Sequence, residues 1–256
     1  MNDLEICQLA VLNDNYVYLV HDPASGKTAC VDPAVAGPVL AELDAQGWEL
    51  SHILITHPHF DHVDGIAEIV AATGAQVYGS RDDFGEIPKC DHGVLEGDEI
   101  KLGSVKIQVL EVPGHTVHHV AYNFVAAKIL FVGDTLFSLG CGRLLGGVAP
   151  QMWNSLKKIR ALPTATEIFC AHEYTQANGE FALSIDPDNA DLQARVRDVA
   201  TLRGKGLSTV PSTLAEEVRC NPFLRCDVPA FKAQLGLAER DAAEVFGEIR
   251  KQKDRF

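Results

Sequence analysis

The sequence predicts a layered α/β sandwich followed by a smaller, all-helical region. From the start to about residue 172, short runs rich in β-branched and aromatic residues alternate with segments of helical period. After residue 174 the β-rich runs stop, and only helical periodicity remains. The chain has 256 residues, which is enough for one large α/β domain with a small appendage. We therefore expect one domain over residues 1–172 and a helical second domain over residues 173–256.

Nine segments in the first part have the composition of strands. They are apolar and β-branched, and many of them end at Gly, Asp or Pro. Between them, apolar residues recur at helical spacing in three places. The predicted strands are LEICQLAV, YVYLVH, TACVD, HILIT, AQVYG, VKIQVLEV, HVAYNFV, KILFVGD and EIFCA, and the predicted helical segments are 39–43, 66–72 and 153–162.

The second part contains four segments of helical period, separated by residues that favour turns. The sequence DPDN at 186–189 is typical of a turn with a helix cap, and GKG at 204–206 is typical of a helix end. The predicted helices are 179–184, 189–202, 213–218 and 238–251.

Composition limits the classes of partner. The 22 Lys and Arg residues and 35 Asp and Glu residues give a net charge of −13, which repels a phosphate backbone, so we expect no nucleic-acid partner. The chain has no run of 18 apolar residues, and its first ten residues lack the basic and apolar parts of a secretory signal. Its seven cysteines form no Cys-x-x-Cys pair. We expect a cytoplasmic protein with reduced thiols and no membrane partner.

The densest group of polar side chains is THPHFDH at residues 56–62, directly after the predicted strand HILIT. The intervening proline keeps His57 out of helical geometry, so His57 and His59 can aim at one point from an extended segment. Asp61 and His62 are expected to begin the following helix and to point elsewhere. The spacing predicts two adjacent metal sites. Imidazole and carboxylate ligands suit zinc, iron or manganese, and the lack of nearby paired cysteines argues against a closed structural zinc site.

Two metal ions need more ligands than this heptapeptide supplies. Three further loops, each just beyond a predicted strand, offer His115, Asp134 and His172. Alone, such residues are more often turn caps or packing residues, but together with the heptapeptide they predict a metal centre. We interpret the remaining histidines as structural or surface residues, except that one of them, His119, is a candidate neighbour of the ligands. The others are His21, His52, His92 and His118.

In type and order, the heptapeptide and the later Gly-His-Thr, Gly-Asp-Thr and His segments resemble the metal motifs of the metallo-β-lactamase superfamily. The resemblance implies an αββα sandwich and two divalent metal ions per chain, zinc with iron or manganese as alternatives. It also implies catalytic roles for Asp61 and for Asp134, which would bridge the two metals. The implied ligands are His57, His59 and His115 for one metal, and Asp61, His62 and His172 for the other.

Within that superfamily the whole chain is similar to the glyoxalase II, or hydroxyacylglutathione hydrolase, family. The similarity is carried by NDNYVY at 13–18, GDTLF at 133–137, CGR at 141–143, AHEYT at 171–175, NPF at 221–223 and KDRF at 253–256. It implies that residues 1–172 form the catalytic domain and that residues 173–256 contribute to glutathione binding.

The same similarity implies that Arg143, Tyr174, Arg250 and Lys253 bind the glutathione moiety. Glutathione carries two carboxylates, so an acidic protein must place cations locally to attract it. The alternative for Arg250 and Lys253 is a solvated helix face. The chain departs from some members at Leu145, where they have Tyr, and at His118, where many have Gly. Because His118 is close to His115 in the sequence, a ligand role or a place beside the ligands is a second interpretation of it.

The resemblance implies hydrolysis of the thioester of S-(2-hydroxyacyl)glutathione, such as S-D-lactoylglutathione, by a metal-bridging hydroxide. This is the second step of methylglyoxal detoxification, and we expect it to be carried out by a monomer. The alternatives are a persulfide dioxygenase, a lactamase, a nuclease of the same superfamily, and a non-catalytic metal-binding or glutathione-binding module. The residues after 174 argue against a persulfide dioxygenase, and the charge of −13 argues against a nuclease. The complete ligand set argues against a non-catalytic module.

Overall fold

The computed structural model describes residues 4–256. The chain forms two compact units, and each unit is built from two stretches of sequence. The first unit comprises the chain up to Glu111 together with His118–Gly133, and the second comprises Val112–Val117 together with Asp134–Phe256. Among the described residues, no helix combines the length and the apolar character needed to cross a membrane.

The first unit contains two β-sheets and three helices. Strands β1 to β6 form one sheet in sequence order, antiparallel from β1 to β3 and parallel from β3 to β6. Strands β7 to β10 form an antiparallel array. The elements are β1 (Glu5–Val11), β2 (Asn15–Asp22), β3 (Lys27–Val31), α1 (Ala36–Gln46), β4 (Glu49–Leu54), α2 (Phe60–Val63), α3 (Ile66–Thr73), β5 (Gln76–Ser80), β6 (Cys90–Val94), β7 (Glu99–Leu102), β8 (Val105–Glu111), β9 (Val120–Phe124) and β10 (Ile129–Gly133).

Packing within this unit gives three layers. Helices α1 and α3 bury residues such as Val39 and Ile69 in one core with alternate residues of β2 to β5. The opposite face of the first sheet meets the second sheet, where the rings of Tyr18 and Phe131 lie 5.2 Å apart. The buried Tyr122 hydroxyl of β9 donates to the Ile55 carbonyl at 2.8 Å. The prediction of a layered α/β arrangement is confirmed for this unit.

The second unit is mainly helical. Its short strands form two antiparallel pairs. Strands β11 and β12 form a hairpin, and β13 pairs with β14. Leu139, Ala182, Leu192 and Cys220 form a buried apolar cluster. The elements are β11 (Leu136–Phe137), β12 (Gly140–Cys141), α4 (Ala149–Arg160), β13 (Glu167–Cys170), α5 (Thr175–Ile185), α6 (Ala190–Gly204), β14 (Ser212–Thr213), α7 (Leu214–Cys220), α8 (Pro229–Gln234) and α9 (Ala242–Arg255).

Two expectations about local structure are wrong. The strands do not stop at residue 174, because Ser212–Thr213 pairs with β13. Asp61 and His62 do not begin the helix that contains Ile66, because a separate turn of helix ends before Asp64 and α3 begins after Gly65. A Cβ atom at Gly65 would lie 2.6 Å from the Pro33 carbonyl oxygen, so the chain approaches that segment more closely than any other residue type allows.

Candidate active site

The carboxylate of Asp32 holds the start of the heptapeptide at 56–62. The backbone N–H and the hydroxyl of Thr56 donate to the two Asp32 oxygens, each at 2.8 Å. Nδ1 of His62 lies 3.0 Å from Asp32 Oδ2, and both side chains are buried. A carboxylate on one ring nitrogen fixes the orientation of an imidazole and directs its other nitrogen toward a metal. With Asp32 beside Nδ1, the other ring nitrogen of His62, Nε2, is the atom available to a metal.

His57 and His59 bring two ring nitrogens to one point. Nε2 of His57 lies 2.9 Å from Nδ1 of His59, and the fully buried His57 ring stacks on His119 at 4.7 Å. Two imidazole nitrogens bound tetrahedrally to the same zinc ion lie about 3.3 Å apart, since each Zn–N bond is about 2.0–2.1 Å. The observed spacing is close to the one that a shared metal ion requires.

Asp61 is positioned by Asn15, the first residue of β2. The buried Asn15 amide donates to Asp61 Oδ2 at 3.0 Å and to the Asp61 carbonyl at 3.2 Å. Asp61 Oδ2 lies 3.9 Å from His62 Nε2. In three pairs of residues, a potential ligand atom of one residue lies within 4.8 Å of a potential ligand atom of the other. These pairs are His57–His59, His57–His62 and Asp61–His62. Imidazole nitrogen and carboxylate oxygen at this spacing fit a divalent transition metal.

In the second unit, Asp134 lies between two histidines. Its Oδ2 lies 3.4 Å from His115 Nε2, and its Oδ1 lies 3.4 Å from His172 Nε2. Nδ1 of His115 donates to the Arg143 carbonyl at 2.9 Å, which orients the ring. All three side chains are buried. A carboxylate between two imidazoles provides three donor groups of the types that bind divalent transition metals.

A pocket of about 490 Å³ opens beside Asp134 and His115. This volume is in the usual range for small-molecule sites. The pocket contains all four residues for which the sequence predicts glutathione binding, and with them two of the predicted metal ligands. It is lined by His115, Asp134, Phe137, Cys141, Gly142, Arg143, Tyr174, Ala177, Asn178, Arg250 and Lys253.

Comparison with known proteins gives matches over most of the chain. The family described as "Metallo-beta-lactamase superfamily" matches residues 11–172, and "Hydroxyacylglutathione hydrolase C-terminus" matches residues 173–256. A hydroxyacylglutathione hydrolase of Methylococcus capsulatus is 56% identical over 253 residues, which is 99% of each chain. The chain belongs to the hydroxyacylglutathione hydrolase family. The family resemblance predicted from the sequence is confirmed.

Solved structures share the fold of this chain. ETHE1 from Myxococcus xanthus has a TM-score of 0.70 and 26% identity, with 96% of this chain and 90% of that chain covered. TTHA1623, solved in a di-iron-bound form, has a TM-score of 0.62 and 27% identity, with 86% and 100% covered. The predicted fold class, a metallo-β-lactamase fold with a helical C-terminal region, is confirmed.

For this member of the hydroxyacylglutathione hydrolase family, the two C-terminal cations of the pocket differ in environment. Arg250 is buried, and its guanidinium donates to the Cys141 carbonyl at 2.8 Å and pairs with Asp254 at 3.0 Å. Lys253 is half-buried, and its ammonium donates to the Ala177 carbonyl at 3.0 Å. Burial, and then the charge of Arg250, lower the pKa of Lys253. Neither residue belongs to a fully solvated helix face, which was the alternative for both.

The other two predicted substrate contacts lie at the mouth of the same pocket. Arg143 is exposed, and Tyr174 is 38% exposed. The Tyr174 ring stacks on His172, a predicted metal ligand, at 4.7 Å with an interplanar angle of 2°, so the two rings restrict each other's orientation. Leu145 is 61% exposed and does not line the pocket.

Asp32 and Asn15 are the functional residues that the sequence did not reveal. Asn15 lies in the segment 13–18, which carries the family similarity, but the contacts of Asp32 and Asn15 join them to residues 24 and 46 positions away. Of the histidines predicted to be structural or surface residues, His21 stacks on Trp48, while His52 and His92 both stack on Tyr78. His118 is partly exposed and lies 3.5 Å from Asp82. His119 contacts His57, as its interpretation as a neighbour of the ligands predicts.

Proposed function

We propose that this protein hydrolyses the thioester of S-(2-hydroxyacyl)glutathione, such as S-D-lactoylglutathione, to glutathione and a 2-hydroxy acid. The observation that carries the proposal is a pocket in which two predicted metal ligands, His115 and Asp134, share one surface with the cations Arg143, Arg250 and Lys253. The hydroxyacylglutathione hydrolase of Methylococcus capsulatus, which is 56% identical over 99% of each chain, supports the same activity. The reaction is the second step of methylglyoxal detoxification.

The proposed centre holds two divalent metal ions, zinc with iron or manganese as alternatives. Imidazole nitrogens and carboxylate oxygens are the ligands that such metals prefer, which supports the proposal. The short distances between these atoms in the first unit support it as well, as does the carboxylate of Asp134 between two imidazoles in the second. The di-iron form of TTHA1623 supports the number of metals. We assign one metal to His57, His59 and His115, the other to Asp61, His62 and His172, and the bridging position to Asp134. Bound in this way, the metals would supply hydroxide at neutral pH and polarise the carbonyl group.

The residues of the chain then position the substrate and the ligands. Arg143 and Lys253 face the pocket with positive charge and suit the two carboxylates of glutathione. Tyr174 offers an aromatic face and a hydroxyl at the pocket mouth. The departing thiolate has a parent pKa of about 8.5, so no strong general acid is required. The pocket therefore needs to bind and orient the thioester, and to keep its own polar groups fixed.

Three further features belong to the proposal. Residues 1–172 form the catalytic domain and residues 173–256 contribute to glutathione binding, as the ranges of the two family matches support. The protein works as a monomer in the cytoplasm. The seven cysteines, scattered along the sequence with no Cys-x-x-Cys pair, support a reducing compartment. Size-exclusion chromatography of the purified protein and fractionation of the source cells test these assignments.

Removal of metal tests the proposed activity directly. Purified protein is expected to carry close to two transition metals per chain by elemental analysis and to hydrolyse S-D-lactoylglutathione. Chelation should reduce the rate to background, and added zinc should restore it, because the nucleophile depends on the metals. If metal-loaded protein leaves the thioester intact but cleaves a lactam or a phosphodiester, the proposed substrate is wrong. Oxygen uptake with glutathione persulfide would instead indicate a dioxygenase.

Substitution of the pocket cations separates binding from chemistry. Lys253→Ala and Arg250→Ala are each expected to raise KM by roughly tenfold, since a hydrogen bond to a charged group contributes about 1.5–3 kcal/mol. We expect kcat to change little, because neither residue is a proposed metal ligand. Lys251→Ala is the matched control, because Lys251 is exposed on the same helix and should leave KM unchanged. A fall in kcat with an unchanged KM would contradict the assigned role.

A further inference from the structure

The hairpin formed by β11 and β12 contains a strained residue. Leu139, in the turn between Phe137 and Gly140, has a φ of +57°, in the left-handed region. This conformation costs a non-glycine residue roughly 1–2 kcal/mol, and it persists only where neighbouring groups hold it. Each strand of the hairpin has two residues, so the hairpin supplies little support of its own.

Support comes from Glu217 on α7 and from Asn221 directly after this helix. The Glu217 carboxylate is fully buried and accepts the Leu139 backbone N–H at 2.9 Å and the Asn221 amide at 3.0 Å. The same Asn221 amide nitrogen lies 3.1 Å from the Phe137 carbonyl and 2.9 Å from the Gly140 carbonyl. Two side chains thus reach three successive parts of one hairpin.

The hairpin in turn shapes the pocket. The edge of the Phe137 ring faces His172 and Tyr174, with ring centres 5.8 and 5.3 Å apart. At the other end, the Cys141 carbonyl accepts from Arg250. Two residues further along, the Arg143 carbonyl is the acceptor that orients His115. A displacement of the hairpin would therefore reach a ligand histidine and the walls of the pocket together.

We propose that Glu217 and Asn221 are positioning residues that hold the Leu136–Cys141 hairpin, and through it the carbonyl of Arg143 that orients His115. The proposal rests on the proposed function in assigning His115 as a metal ligand. It gives the C-terminal residues a second task besides contact with the substrate, namely control of a metal ligand that lies about a hundred residues earlier in the chain. Burial raises the pKa of Glu217, although its hydrogen bonds act in the opposite direction. Keeping the charged carboxylate at this position therefore costs free energy.

Hydrogen–deuterium exchange and zinc affinity test the proposal without a substrate. In Glu217→Leu, which removes the acceptor of the Leu139 N–H, and in Asn221→Asp, which removes the amide donor to the Phe137 and Gly140 carbonyls, exchange in peptides covering residues 136–143 should rise by at least about tenfold relative to peptides of β13. Zinc affinity should fall by roughly tenfold, the usual cost of losing the group that orients a ligand histidine. The value of kcat/KM for S-D-lactoylglutathione should fall with it.

Asp186→Asn is the matched control. Asp186 is a buried carboxylate of the same unit that pairs with Arg225 and Asn189, so its loss should lower the Tm without freeing the hairpin. The proposal is overturned if exchange over 136–143 is unchanged in Glu217→Leu and Asn221→Asp, or if zinc affinity falls equally in the control. If wild-type protein does not hydrolyse the thioester, the proposed function fails, and exchange and zinc affinity still decide this inference.

Discussion

Replacement of Asp134 by alanine is expected to lower the rate of thioester hydrolysis by about 10³-fold or more. The two oxygens of Asp134 each lie 3.4 Å from a histidine that is a proposed ligand, His115 for one and His172 for the other. Its loss removes the proposed bridging ligand and leaves two buried imidazoles with a weaker hold on the metals. Metal-dependent electrostatic stabilisation of this kind is usually the largest contribution to such rates.

The measurement for this variant is the rate together with the metal content after gel filtration. Both should fall, whereas Asp188→Ala, which removes an exposed carboxylate from the same unit, should change neither. Activity and metal content near those of the wild type would show that Asp134 is not a ligand. A fall in the rate with full metal content would show that it acts on the substrate instead.

Asp32→Asn is expected to affect stability and activity together. The substitution keeps the size of the side chain but replaces one of the two oxygens that Thr56 and His62 contact. Leaving a buried donor without its charged acceptor costs about 2–4 kcal/mol, which lowers the Tm by roughly 5–15 °C in a chain of this size. The His62 ring loses the group that orients it, so we expect metal affinity and kcat to fall by roughly 10- to 100-fold.

A suitable control for this variant is Asp22→Asn. Asp22 is equally buried in the first unit, where its carboxylate accepts from the Ala24 N–H and the Ser25 hydroxyl in a turn. This control should lower the Tm and leave metal affinity intact. If Asp32→Asn behaves in the same way as the control, Asp32 stabilises the fold without orienting His62.

The sequence predicted those elements whose signals are local and long. Strand β8 alternates apolar and polar residues, strand β10 is a continuous apolar run, and helix α4 buries apolar residues at helical spacing, so each signal extends over several positions. Strand β7, Glu99–Leu102, was missed, because four residues with two buried positions give too short a pattern. Strand β14 has two residues, and pairing with β13 alone defines it.

The site divides in the same way. The seven ligands were predicted because histidine and aspartate cluster at strand ends, a pattern visible in the sequence itself. The groups that orient them were not, because their partners are distant: Asn15 reaches Asp61, and Glu217 reaches Leu139 across 78 positions. The spacing of residues in the sequence does not reveal such pairs, because they come together only when the chain packs. The break before α3 likewise depends on the close approach of Gly65 to Pro33.

Cys141 places a thiol in the wall of a pocket that is proposed to bind a thioester. Thiolates attack thioesters readily, and a reactive cysteine here would take the acyl group from the substrate and inactivate the protein. Burial raises the pKa of Cys141 to about 11, although the nearby Arg250 opposes the shift. At neutral pH only about one molecule in ten thousand would then carry the thiolate. The fold thereby keeps this sulfur in the thiol form, which is a poor acceptor for an acyl group.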